Sequence, residues 1–253
     1  MRAAGVARAT RPSRCHPWRL DQESRWRETP LVRLFVTGTG TGVGKSWVSE
    51  ALVRSYRLDG LSVAAVKPIE TGCDPDAEDA IRLADAAGDL RLASIEGFVR
   101  RRAPLAPWAA ELEGESPTPS TQTLVAAIER ATTGVDVRIA EGAGGPLVPL
   151  DGERDVADLM VALGWPVLLV GLDGLGTLSH TLSAHEALTH RGLDVVGVVL
   201  TRQGPELSQG TNRTILAARL PCPVSGVGPW TSPQDGVEEV RELAGALRPK
   251  RSE

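Results

Sequence analysis

Gly38-Thr39-Gly40-Thr41-Gly42-Val43-Gly44-Lys45-Ser46 is the stretch of this 253-residue chain that decides its architecture. Before it stands Leu31-Val32-Arg33-Leu34-Phe35-Val36-Thr37, an apolar run that reads as a β-strand. After it, residues 46–56 read as a helix. A glycine-rich turn between strand and helix, closed by Lys-Ser, is the pattern of a phosphate-binding loop. Glycines let backbone N–H groups turn inward around an anion, and the helix start adds partial positive charge. In that pattern Gly42, Val43 and Gly44 offer backbone donors, Lys45 reaches the outer phosphates of a nucleotide, and the Ser46 hydroxyl ligates Mg2+. Gly38 and Gly44 enclose five residues where the common pattern has four, so the loop is lengthened. A dinucleotide fingerprint is excluded, because Val43 stands where its third glycine belongs.

Outward from the loop the chain keeps one rhythm. Strands are expected at 62–66, 135–140, 166–170, 195–200 and 224–227. Helices are expected at 76–87, 124–131, 155–163, 177–190, 208–220 and 237–247. Residues 113–121, rich in Pro, Ser, Thr and Glu, read as a surface loop. Short apolar strands alternating with helices predict an α/β fold, a mostly parallel sheet with helices on both faces. No composition break divides residues 31–253, which read as a single domain of the P-loop nucleoside-triphosphatase type.

Composition narrows the functions. The net charge is −4, which argues against a nucleic-acid surface. The balance is uneven. Residues 1–30 carry seven arginines and three acids, and the remainder carries −8. The Arg-rich start has no apolar periodicity and is expected to be a disordered extension. No apolar run approaches the roughly 20 residues of a membrane span. Cys15, Cys73 and Cys222 are widely spaced, with no metal or disulfide framework, which predicts a reducing, cytoplasmic setting.

The chain has three lysines against twenty-five arginines. Lys45 closes the loop, Lys67 opens Lys67-Pro68-Ile69-Glu70-Thr71-Gly72, and Lys250 is in the tail. An ammonium on a flexible stem differs in reach and shape from a guanidinium fork. Its survival at two such places points to two active-site lysines.

Two carboxylates are metal candidates. Glu141 ends an apolar strand and precedes Gly142-Ala143-Gly144-Gly145, the position where open α/β sheets bind ligands. Asp79 lies in an acid-rich helix start, where a dipole-stabilised cluster is an equal reading. Mg2+ takes one or two carboxylates plus phosphates and water. At Gly174-Leu175-Gly176-Thr177 the residues alone favour a helix start capped by Thr177. His180, His185 and His190 scatter around that helix at a spacing of five, which disfavours a metal site. Trp47, Trp108, Trp165 and Trp230 read as packing residues.

Taken together the motifs resemble the dethiobiotin synthetase family, over nearly all of the chain after its start. The carriers are residues 36–46, 67–72, Asp79-Ala80, 103–107, 141–150, 175–180 and 197–200. The resemblance implies an ATP- and Mg2+-dependent cyclo-ligase. An amine of 7,8-diaminopelargonic acid takes up CO2 as a carbamate, which attacks the γ-phosphate to give a mixed anhydride. The second amine then closes the urea ring, releasing phosphate. It also implies a homodimer with substrate at the interface. In those terms Lys45, Lys67 and Thr41 would be catalytic, and Ser46, Asp79 and Glu141 would hold Mg2+. Thr41, Thr71 and Gly144 would position the amines and carbamate. Gly176, Thr177 and Ser179 would meet the substrate carboxylate from the other subunit. Thr201 stands where many members carry an Asn that contacts adenine, so looser base selectivity is expected. Many members also have acids at Gly40 and Gly42 and Thr at Ser46. The alternative is a loop ATPase of the partitioning or positioning type. Those carry an extra lysine early in the loop, where this chain has Gly40.

Overall fold

The computed structural model describes residues 32–232 and 234–248. The expected extension over residues 1–30 lies outside the described residues, as do Leu31 and Lys250. Along the described chain the order is β1 (Val32–Gly38), α1 (Lys45–Leu58), β2 (Val63–Val66), β3 (Ile69–Thr71), α2 (Glu78–Ala87), β4 (Val99–Arg101), α3 (Pro107–Leu112) and α4 (Thr121–Ala131). The second half follows as β5 (Val137–Glu141), α5 (Val156–Leu163), β6 (Val167–Leu172), α6 (Thr177–His190), β7 (Val195–Thr201), α7 (Gln209–Arg219), β8 (Val224–Val227) and α8 (Arg241–Ala246).

Six strands form one sheet in the order β2-β5-β1-β6-β7-β8, and every pairing is parallel. Side chains alternate between faces along a strand. Leu34 and Val36 of β1 therefore enter one core layer with Val48, Leu52 and Tyr56 of α1. Phe35 enters the other, with Leu124 and Ile128 of α4, Leu159 of α5 and Leu188 of α6. Both faces are covered, which is why the strands are apolar throughout rather than alternating. Burying each large aliphatic side chain contributes about 1.5–3 kcal/mol.

The connectivity fixes where a ligand fits. From β1 the chain runs first to β2, and β5 inserts between them. It then crosses β1 to β6, β7 and β8. The strand order thus reverses beside β1, and the loops after β1 and β5 part at their carboxyl ends. Such a switch point is where open parallel sheets hold ligands.

Three expectations need correction, and the first is that the short helix α3 at Pro107–Leu112 had no counterpart among the expected helices. The small parallel pair β3–β4 (Ile69 opposite Val99, Thr71 opposite Arg101) was not anticipated. Three-residue strands carry too little periodicity to register. The closing helix begins at Arg241 rather than 237, and the segment before it winds as turns.

Candidate active site

The loop after β1 folds against the backbone of the glycine run after β5. The Gly38 N–H donates to the Gly144 carbonyl at 3.3 Å, and the Thr39 N–H donates to the Val170 carbonyl at 2.8 Å. A Cβ on Gly38 would lie 2.7 Å from Val43 Cγ2, and one on Gly145 would lie 3.2 Å from the Gly38 carbonyl oxygen. These contacts explain glycine at both places. Gly44 caps α1 at φ 87, so the chain enters the helix by a left-handed turn that glycine alone adopts freely.

Lys45 is buried, and its Nζ donates to the Gly40 carbonyl at 3.0 Å. Burial draws its pKa down to about 8. The Lys67 charge adds to this, and Glu141 and Asp79 oppose it. Lys67 directly follows β2 and is also buried. Its Nζ donates to Asp79 Oδ2 at 2.6 Å and to Glu141 Oε1 at 2.7 Å. Burial works against its charge, but the Glu141 and Asp79 carboxylates outweigh that and raise its pKa above the ordinary value. For Asp79, burial is likewise overcome by Lys67, Ser46 and Arg82, which hold its carboxyl below the usual range. Two lysines about one site therefore have opposite tendencies. Lys67 is locked as an ammonium, and Lys45 is poised to lose its proton in mild alkali.

Glu141, fully buried at the end of β5, accepts from both Lys67 and the Ser46 hydroxyl (2.7 Å) through Oε1. Its Oε2 has no hydrogen-bond partner. A buried carboxylate oxygen without a partner is costly unless something else binds there. Among the described residues no group of three or more His, Cys, Asp or Glu side chains could hold a metal. Ser46, Asp79 and Glu141 are the donors that could hold a divalent ion such as Mg2+, which takes one or two carboxylates and its other ligands from phosphate and water.

Around these groups lies a cleft of ≈ 300 Å³, with Thr41, Thr71 and Gly144 on its walls. The fold brings together residues of the loop after β1, α1, the end of β2, β3, α2 and the loop after β5. Gly176, Thr177 and Ser179 do not line it. The expected cap at Thr177 is displaced by one residue. Gly176 is the cap, at φ 91, and Thr177 is buried with its hydroxyl 3.4 Å from that of Thr181. The turn needs a left-handed residue, so glycine takes the capping place and no side chain caps the helix.

Several contributors were missed. Glu70 is buried, and its two oxygens accept the Asp79 and Ala80 N–H groups, both at 2.9 Å. It caps α2 from outside the helix and so fixes the turn that carries Asp79. Its pKa is raised, by burial first, against these bonds and Lys67. The pattern Glu70–Asp79 has no sequence signature, because the partners are backbone groups. Trp47, read as packing, lines the cleft with Arg82 over its ring at 5.6 Å. A second cavity of ≈ 280 Å³ adjoins the loop at Gly44, between Trp47, Arg202, Gln203, Val227 and Trp230. Thr201 borders it, but its hydroxyl donates to the Val43 carbonyl at 2.7 Å.

A family model described as an AAA domain matches residues 32–236. The ATP-dependent dethiobiotin synthetase of Caulobacter vibrioides is 46% identical over 187 residues, covering 71% of this chain and 84% of that protein. Its counterpart in Anaeromyxobacter dehalogenans is 44% identical over 174 residues, covering 68% and 78%. That of Phenylobacterium zucineum is 38% identical over 214 residues, covering 81% and 90%.

Proposed function

The chain belongs to the ATP-dependent dethiobiotin synthetase family, and from that premise we propose that it makes dethiobiotin from 7,8-diaminopelargonic acid, CO2 and ATP. The observation that carries the reading is Lys67, a buried ammonium bonded to both metal-candidate carboxylates and facing the cleft beside Lys45.

Each step follows from charge. Thr41, Thr71 and Gly144 orient the diamine. One amine adds to CO2 and gives up a proton, leaving a carbamate anion. The Lys67 ammonium stabilises that anion at its oxygens, and Lys45 with the Gly42, Val43 and Gly44 N–H groups holds the triphosphate. The carbamate oxygen forms a bond to the γ-phosphorus as the bond to ADP breaks. The second amine attacks the activated carbonyl carbon, phosphate leaves, and the ring amine loses its proton. Most of this is positioning and preorganised electrostatics, the largest source of rate in such transfers. Ser46, Asp79 and Glu141 would hold Mg2+, which when bound would neutralise phosphate charge.

The remaining parts are assigned on the same basis. The cavity beside Thr201 takes the nucleobase. The start of α6, at Gly176, Thr177 and Ser179, serves the substrate carboxylate of a partner subunit, because it does not line its own cleft. The enzyme is then a homodimer of the cytoplasm. No helix among the described residues is long and apolar enough to cross a membrane. A partitioning-type switch ATPase is disfavoured by Gly40 in place of the extra lysine.

The test is stoichiometry. Purified protein with diaminopelargonic acid, bicarbonate, Mg2+ and ATP should release ADP, phosphate and dethiobiotin in equal amounts. ADP release that ignores the diamine would mean a switch ATPase instead.

A further inference from the structure

Thr201 ends β7, held on one side by its pairing with Leu172 and on the other by its pairing with Val227. It is only 6% exposed. Its hydroxyl reaches back to the phosphate loop and donates to the Val43 carbonyl at 2.7 Å. Two residues further, Gln203 Nε2 donates to the Gly42 carbonyl at 2.8 Å. Two consecutive loop carbonyls are thus tied to the end of one strand.

A peptide unit is planar and trans, so its C=O and N–H point in opposite directions. Holding the Val43 carbonyl toward β7 turns the Gly44 N–H to the opposite side. Holding the Gly42 carbonyl does the same for the Val43 N–H. Gly42 (φ 74) and Gly44 (φ 87) both occupy left-handed backbone, where glycine moves between conformations at little steric cost. The loop sequence alone therefore leaves these peptides free to turn a carbonyl toward an incoming anion, which would repel it. The Thr201 methyl adds a second restraint. A Cβ on Gly44 would lie 2.9 Å from Thr201 Cγ2, so loop and strand are in close contact there.

We propose that Thr201, together with Gln203, is a positioning residue that fixes two consecutive phosphate-loop N–H donors in their anion-binding direction, and is not a reader of the nucleobase. This rests on the reading of the cleft as a nucleoside-triphosphate site. The tie acts on the phosphate chain, which every nucleotide shares, so it changes affinity without changing base preference. An Asn at this position would present an amide to a base edge; a Thr whose one hydroxyl hydrogen is spent on Val43 has no donor left to present.

Calorimetric binding of Mg·ADP and Mg·CDP to the full-length protein, with melting temperatures alongside, tests it. Thr201→Val removes the hydroxyl at nearly constant shape and should weaken both nucleotides about fivefold, the weight of one hydrogen bond, at an unchanged ADP:CDP ratio. Thr201→Ser keeps the hydroxyl and should restore affinity for both. Gln203→Ala, at an exposed position, should weaken both about twofold. A changed ADP:CDP ratio in Thr201→Val would make the residue a base reader and overturn the proposal. A lowered melting temperature with both affinities intact would make it a packing residue, with the same consequence. Should Thr201→Val not fold, Gln203→Ala decides, and unchanged affinities there overturn the tie. Wild-type protein that binds neither nucleotide would defeat the nucleotide-site reading itself, a result distinct from all of these.

Discussion

The two ends of the cleft are built from different materials. At the phosphate end, Lys67 binds Asp79 at 2.6 Å and Glu141 at 2.7 Å, and Ser46 binds Glu141 at 2.7 Å, with Lys45 buried beside them. Charge there is fixed before any substrate arrives. At the end we assign to the base, Trp47 and Trp230 face a cavity of ≈ 280 Å³ whose polar side chains are each tied to a partner. Arg202 pairs with Asp173, Gln203 with the Gly42 carbonyl, and Trp230 Nε1 with Glu239. In the proposed function the first end would supply preorganised electrostatics, which act on the transition state. The second would supply shape and aromatic surface, which hold a ligand without selecting its edge. Mutations should divide accordingly.

The largest effect is expected from Lys45→Ala. Loss of the ammonium should lower kcat/KM for ATP by about 10²–10³-fold. The fold should persist, because the substitution removes a buried charge, and circular dichroism checks that. An effect under tenfold would place the chemistry elsewhere.

A pH profile probes the same group. Lys45 is drawn down to about 8, chiefly by burial. Below that pH it is charged and attracts triphosphate; above it the charge is lost. kcat/KM for ATP, which reports the free enzyme, should fall about tenfold per pH unit above 8. Stability runs the other way. A lysine with a folded pKa of about 8 against an ordinary 10.5 burdens the fold fully below 8 and is relieved as pH rises from 8 to 10.5. Lys45→Ala should remove both trends. A flat rate profile in wild type would contradict the assignment.

Glu70→Gln tests the support of the phosphate end. The substitution puts an NH2 donor where one of the two carboxylate oxygens accepts, so one of the Asp79 and Ala80 N–H groups loses its acceptor and α2 loosens where it carries Asp79. The Mg2+ concentration for half-maximal rate should rise about fivefold, with kcat at saturating Mg2+ nearly kept. A change in kcat alone would show that Glu70 does not act through the metal site.

The smallest effect is expected at the base end. ATP, CTP and GTP should differ in kcat/KM by under about threefold, less than a full hydrogen bond to a base edge. A strong preference for ATP would show that the cavity reads the base after all.

The same contrast governs what the sequence reveals. The phosphate end was legible because its parts are local patterns. Gly38 to Ser46 lies between a strand and a helix, Lys67 precedes a proline at a strand end, and Glu141 ends an apolar run before glycines. The sheet followed from β1 and the alternation of apolar strands with helices for the same reason. Glu70 was not legible, because its partners are the Asp79 and Ala80 N–H groups and carry no side-chain identity. Trp47, Gln203 and Trp230 meet only through the ends of β7 and β8, so no spacing announces them. Thr177 was misplaced by one residue because the left-handed turn at Gly176 outweighs the preference of a hydroxyl for the cap.

Lys67→Arg tests the central claim most directly, since it keeps the charge and changes only its reach and shape. The ammonium is buried between two carboxylates, and a guanidinium fork cannot occupy the same point. Turnover of diaminopelargonic acid should fall about 10²-fold or more, with Mg·ADP affinity close to wild type. Near-normal turnover in this variant would mean that any positive charge suffices at Lys67, and the geometric account of the phosphate end would be wrong.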